Sequence, residues 1–130
     1  MILVDSSAWI EYLRATGSDV HIRVRTYRDV PDELAISEVV AMELLAGVRN
    51  AGEERVVDEI VNGVPLLPTN GLDDYRHAAA LYRDCRDGGE TIRRMNHCFL
   101  AAIAIRNDVA VLHRDNDFDV LARHTALQIA

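Results

Sequence analysis

Three acidic residues lie where a carboxylate is either aimed or costly. Asp5 follows the apolar run Met1-Ile2-Leu3-Val4, and Asp115 comes three residues after Val109-Ala110-Val111-Leu112. Short continuous apolar runs read as strands buried on both faces of a parallel sheet. Ligands of open α/β sheets bind beyond the carboxyl ends of such strands. Glu43 has Val39, Val40, Ala46 and Gly47 three and four positions away. On a helix it therefore interrupts an apolar stripe, off any solvated face, and its charge needs a partner. No arginine shares that face, since Arg49 falls on another side. Plainer readings exist for each: Asp5 or Ser6, and Asp115, Asn116 or Asp117, are types that cap helices. A rolled helix would also carry Glu43 to solvent at the rim. Brought to one sheet edge, however, three carboxylates call for a counter-charge. Mg²⁺ takes a few carboxylates, keeps several waters and bridges to phosphates. Such a site fits metal-assisted phosphodiester hydrolysis, in which the ion lowers the pKa of an attacking water and neutralises the phosphate.

Composition narrows the chemistry further. All 14 basic residues are arginines, which excludes Schiff-base, P-loop and other lysine-dependent mechanisms. A signalling receiver domain also places aspartates at strand ends, but it needs a later lysine that this chain lacks. The net charge of −7 means that a nucleic acid must be held locally rather than by the whole surface. With 130 residues the chain is expected to form one domain, residues 1–130, with a substantial core. No apolar run approaches the roughly 20 residues of a membrane span, and no secretory signal is recognisable. Cys85 and Cys98 make no disulfide framework, and Cys98 sits in an apolar run as a small core residue. A reducing, cytoplasmic setting is the expectation.

The elements that must position the acids alternate along the chain. A strand at the amino terminus leads into a helix over 6–14, and a second short helix over 19–29 is broken at Pro31. A brief strand over 34–36 precedes a helix capped by Ser37 and running to about Val48. A helix over 53–61 leads to a strand over 64–67 whose prolines suit a sheet edge. An amphipathic helix follows over 71–87. The run Cys98-Phe99-Leu100-Ala101-Ala102-Ile103-Ala104-Ile105 is apolar all round and reads as a buried helix. A strand over 109–112, a helix over 116–123 and a last short strand over 127–129 complete the chain. Alternation of this kind implies parallel strands with right-handed crossovers. Asp5 and the segment His113-Arg114-Asp115-Asn116-Asp117 then share one edge.

Four segments in this order resemble the PIN-domain ribonucleases, and among them the VapC-type toxins of bacterial toxin–antitoxin pairs. They are Ile2-Leu3-Val4-Asp5-Ser6-Ser7-Ala8-Trp9, Ser37-Glu38-Val39-Val40-Ala41-Met42-Glu43-Leu44-Leu45-Ala46-Gly47, Cys98-Phe99-Leu100-Ala101-Ala102-Ile103-Ala104 and Val111-Leu112-His113-Arg114-Asp115-Asn116-Asp117-Phe118. The resemblance implies a three-layer α/β/α fold with a four- to five-stranded parallel sheet. It implies an Mg²⁺- or Mn²⁺-dependent endoribonuclease acting on RNA, a homodimer, and a VapB-type antitoxin that inserts a segment into the acidic cleft. No membrane association is implied. The family's acids fall on Asp5, Glu43 and Asp115 as metal ligands, with Ser6 and Asp117 as helpers beside them.

At one position the chain departs from that pattern. His97 stands where the family has an aspartate, and it joins Asp5, Glu43 and Asp115 as a candidate catalytic residue. It reads as a neutral nitrogen ligand favouring Mn²⁺ or another transition ion, as a substitution that impairs the enzyme, or as an ordinary first-turn histidine outside the cleft. Impairment is the expectation, because a hard-cation site loses one negative charge. An inactive PIN-like module acting only through its antitoxin is the alternative. For the RNA, Arg14, Arg93, Arg94 and Arg114 are the nearby phosphate-binding candidates, and Trp9 and Tyr12 the base-stacking ones. Trp9, Tyr12 and the second helix also offer an apolar patch for self-association.

Overall fold

The apolar runs near the two ends of the chain pair in the middle of the molecule. The computed structural model describes residues 1–130. Strand β1 (Ile2–Val4) lies parallel to β4 (Ala110–Leu112), with Val4 opposite Leu112. On its other side β1 pairs with β2 (Leu34–Ser37), and β2 carries β3 (Leu66–Leu67) at the edge. All pairings are parallel, in the order β3-β2-β1-β4. The edge strand is shorter than expected. Pro65 has no N–H to give the ladder, although its carbonyl accepts from Ile36 N at 2.9 Å. The expected fifth strand shrinks to a single parallel bridge between Val111 and Ile129.

Helices α1 (Ser6–Leu13), α2 (Asp19–Tyr27), α3 (Glu38–Ala46) and α4 (Ala51–Gly63) form one packed group. A second group contains α5 (Gly71–Asp87), α6 (Met95–Arg106) and α7 (Asn116–His124). With the sheet they make the expected three-layer α/β/α arrangement. Helix α6 is buried along its whole middle, His97 through Ala104. Leu3, Val4, Ile36, Leu100, Ile103, Val111 and Phe118 are sealed from solvent in one continuous core. Burying each large aliphatic or aromatic side chain of this kind stabilises the fold by about 1.5–3 kcal/mol.

Two expectations need correction. Trp9 is fully buried, because α2 packs across α1 and Tyr12 meets the indole edge-on at 6.1 Å. It can neither stack on a base nor form a surface patch. Tyr12 is half-buried and lies against the guanidinium of Arg28, 5.5 Å from the ring centre. Cys98 is a core residue as expected: burial pushes its thiol up to about 12, which keeps it protonated.

Candidate metal centre

Parallel pairing of β1 with β4 brings the two strand-end aspartates to the same rim. Asp5 continues the ladder, its N–H donating to the Leu112 carbonyl at 2.9 Å. Its Oδ2 caps α1 by accepting from Ser7 N at 2.9 Å, and also takes the Ser7 hydroxyl at 2.5 Å. Asp115 caps α7 in the same way, with Oδ1 accepting from Asp117 N at 2.9 Å. The helix-cap reading is therefore true of both, and it uses one oxygen of each. The remaining oxygens, Asp5 Oδ1 and Asp115 Oδ2, accept no hydrogen bond from the protein. Ser7 ties the two turns together, since its Oγ also accepts from Arg114 N at 2.9 Å.

Glu43 arrives from α3 and reaches the same rim by two contacts. Its Oε2 accepts from the Ser6 hydroxyl at 2.5 Å, and its Oε1 from the Asn96 side-chain amide at 2.9 Å. One contact sits beside Asp5 in sequence, the other beside His97. The residue is half-buried rather than buried, because Ala46 and Gly47 are exposed. Val40 of the stripe faces the core, whereas Gly47 and Glu43 border an open groove, lined in part by Ile10, Leu13, Leu44, Val56 and Val57, with Arg14 and Arg49 among its polar residues. The rim position is thus the correct one for Glu43, and its partners are neutral donors.

Asp117 and His97 make the buried wall of the site, at 2 % and 3 % exposure. Asp117 Oδ1 accepts from Arg93 N at 3.1 Å; Oδ2 accepts from Arg94 N at 3.1 Å and lies 2.7 Å from His97 Nδ1. Burial works to raise the Asp117 carboxyl, but these hydrogen bonds prevail and hold it below the usual carboxylate range. The imidazole packs against Phe118, ring centres 4.7 Å apart. Its Nε2 lies 4.0 Å from the free Oδ2 of Asp115. His97 is therefore inside the cleft and not an ordinary surface residue of the first helical turn. Arg93 leans over the same acids from solvent, 3.3 Å from Asp115 Oδ1 and 3.5 Å from Asp117 Oδ1. His113 is held down by burial, against the opposing pull of Asp119, Asp5 and Asp115.

These donors fit a divalent cation. One ligand atom from each of His97, Asp115 and Asp117 lies within 4.8 Å of the others, while the free oxygen of Asp5 stands at the end of the neighbouring strand. Sequence reasoning overlooked Ser7 and Asn96 as tethers of the acids. A hydroxyl two residues after a capping aspartate was the available signal for Ser7; for Asn96 there was none, because its partner lies 53 residues away.

The PIN domain family matches residues 2–124. The chain belongs to this family. Over its full length this PIN domain is 45% identical to the VapC ribonuclease Mb1587 of Mycobacterium bovis, covering 98% of that protein. It is equally similar to ribonuclease VapC11 of Mycobacterium tuberculosis, at 45% identity and 98% coverage. Among solved structures, the fold matches VapBC2 from Rickettsia felis bound to a DNA fragment from its promoter, with TM-score 0.72 and 14% identity over 100% of this chain and 98% of that one. It also matches VapC20 of Mycobacterium tuberculosis, a sarcin–ricin loop cleaving toxin, with TM-score 0.66 and 18% identity over 92% and 93% of the two chains. No helix is long and apolar enough to cross a membrane.

Proposed function

We propose that this PIN domain is a metal-dependent endoribonuclease, the toxin of a VapBC-type toxin–antitoxin pair, cleaving RNA phosphodiester bonds at the carboxyl edge of its sheet. The observation that carries the reading is the pair of free carboxylate oxygens, Asp5 Oδ1 and Asp115 Oδ2, at the ends of neighbouring parallel strands. The names of the VapC relatives support the same activity. Asp5, Glu43 and Asp115 are the proposed ligands of Mg²⁺ or Mn²⁺, which when bound supplies a more acidic water and neutralises the phosphate. The protein's own work is to orient those carboxylates through Ser6, Ser7 and Asn96. It also offers exposed guanidinium groups to the RNA backbone. Arg93 and Arg114 are paired with acids at the rim, at 3.3 Å from Asp115 and 3.2 Å from Glu11. Forked donors of this kind suit phosphate oxygens.

His97 sets the expected strength of this activity. With an imidazole in place of a carboxylate, Mg²⁺ binding is weak and Mg²⁺-supported cleavage slow. The deciding assay measures RNA cleavage with Mg²⁺ and with Mn²⁺, for the wild type and His97→Asp. Faster Mg²⁺-dependent cleavage in the variant is the expected result. Robust wild-type cleavage that His97→Asp does not increase would overturn it. Absence of cleavage in both proteins with both ions favours the second reading, an inactive module working through its partner.

That partner is proposed to be a VapB-type antitoxin whose basic segment reaches the acids from the groove beside Glu43. Apolar side chains would lie on Ile10, Leu13 and Val56, which are partly open to solvent at 37, 36 and 41 %, with an arginine toward Asp5 and Glu43. Antitoxin peptide should bind the Asp5→Asn, Glu43→Gln double variant at least about tenfold more weakly, a loss of about 1.4 kcal/mol; equal binding rejects this arrangement. A homodimer, assembling further with the antitoxin in the cytoplasm, belongs to the same reading. Leu72, Tyr75 and Met95 are exposed around Phe99, with Tyr75 stacked on Phe99 at 4.4 Å, and offer an apolar face for it.

A further inference from the structure

We propose that His97 Nε2 and Asp115 Oδ2 are the two ends of a mixed nitrogen–oxygen cation site, with Asp117 fixing the imidazole, and that this site selects a transition ion such as Mn²⁺ or Co²⁺ over Mg²⁺. The inference builds on the metal-dependent reading of this edge and adds a ligand and an ion preference to it.

Asp117 determines which nitrogen of His97 is available. An ionised carboxylate can only accept, so the ring nitrogen 2.7 Å from Asp117 Oδ2 carries the proton. A neutral ring protonated at Nδ1 presents its lone pair at Nε2. The amides of Arg93 and Arg94 complete the acceptor capacity that Asp117 uses, at 3.1 Å each. Asp117 is thus engaged as a holder, and the imidazole projects beyond it.

The atoms facing each other across the gap have no other partners. His97 Nε2 makes no hydrogen bond, although the side chain is only 4 % exposed. Asp115 Oδ2 makes none either, because the cap and Arg93 both use Oδ1. Their separation of 4.0 Å is too long for a hydrogen bond between them. It is a span that two metal–ligand bonds of about 2.0–2.2 Å bridge. Trp9 Nε1 is the one fully buried side-chain nitrogen or oxygen without a partner, so His97 Nε2 keeps a path to solvent by which an ion can reach the gap. Arg93 does not fill that place, since it contacts the other oxygen of each aspartate.

The donor types then set the preference. Imidazole suits transition ions, whereas Mg²⁺ requires oxygen ligands and sheds its water reluctantly. A ligating histidine that donates its other N–H to a carboxylate is the common arrangement around such ions, and that carboxylate raises the basicity of the ring.

The test needs no RNA. Mn²⁺ bound to the full chain is examined by pulsed electron paramagnetic resonance, with natural and with ¹⁵N-labelled histidine. Mn²⁺, Co²⁺ and Mg²⁺ affinities are measured by calorimetry for wild type, His97→Asp and Asp117→Asn. The expected results are a histidine-nitrogen coupling in the wild type that His97→Asp abolishes, and a Co²⁺-over-Mg²⁺ preference that His97→Asp narrows at least tenfold. Asp117→Asn should weaken Co²⁺ binding by about 10–100-fold. No histidine nitrogen on bound Mn²⁺, no ion binding, or an unchanged preference in His97→Asp overturns the inference. The labelled wild type decides the point even if a variant fails to fold. RNA cleavage without nitrogen coupling sinks this site and leaves the nuclease; nitrogen coupling without cleavage under any ion does the reverse.

Discussion

Asp5 and Asp115 occupy the same place in two copies of one local pattern, yet they are held differently. Asp5 directly follows a buried parallel strand and Asp115 comes three residues after one, and both cap the following helix with one oxygen while leaving the other free. Around Asp5 the support is neutral, hydroxyls from Ser7 to its own carboxylate and from Ser6 to Glu43. Around Asp115 the buried pair His97 and Asp117 stands on one side and the solvent-exposed guanidinium of Arg93 on the other. The lesson is that the fold needs only half of each carboxylate. Removing the charge of Asp5 should therefore leave its neighbours in place, whereas Asp117 behind Asp115 also holds the Arg93 and Arg94 amides and His97.

The sharpest way to separate those roles is substitution by asparagine, an equally good cap. Asp5→Asn and Asp115→Asn should each lose RNA cleavage by more than the roughly 10–100-fold typical of outer partners. Their unfolding free energies should stay within about 1 kcal/mol of the parent, because the cap survives. Cleavage rates and urea unfolding together check this, and unaltered cleavage in both would remove the site. Asp117→Ala probes the other wall. It strands the amides of Arg93 and Arg94 and the Nδ1 proton of His97, so it should cost about 3–5 kcal/mol in the same urea experiment. A loss below 1 kcal/mol would erase the contrast. Glu43→Gln leaves the fold intact, since an amide can still meet Ser6 and Asn96; as a proposed ligand it should lose cleavage by at least the roughly 10–100-fold of an outer partner, with no change in melting temperature.

The smallest effect lies away from the site and serves as a control. Hydrogen bonds from Arg123 and His124 hold the Glu90 carboxyl down to about 2, against an ordinary value of 4.5. A depressed folded-state pKa contributes stability that is present above the ordinary value and lost as pH falls toward the folded one. The melting-temperature gap between wild type and Glu90→Gln should therefore be widest above about pH 4.5 and close by about pH 2, with cleavage at neutral pH untouched. A gap independent of pH would show that the pair contributes no charge-dependent stability.

Much of this was legible in the residues because the signals are local. Apolar runs before Asp5 and Asp115 identified paired strand ends, and Ser37 caps α3 as its type predicts, accepting from Val40 N at 3.4 Å. What escaped depends on contacts distant in sequence. Periodicity showed which face Glu43 shares, but not that this face divides, with Val40 in the core and Gly47 on a groove. Trp9 looked available because its cover is supplied by a second helix. The role of His97 could not be read without Asp117, twenty positions on, which turns a departure from the family pattern into a buried, oriented donor.

Binding of the Arg93 and Arg94 amides by Asp117 has a consequence for timing. Both side chains are solvent-facing, and the segment precedes α6 without being part of it. Those two amides should nevertheless exchange slowly with deuterated solvent in ion-free protein, because the acceptor that shields them is buried. The rim would then be shaped in advance, leaving an arriving cation little rearrangement to drive.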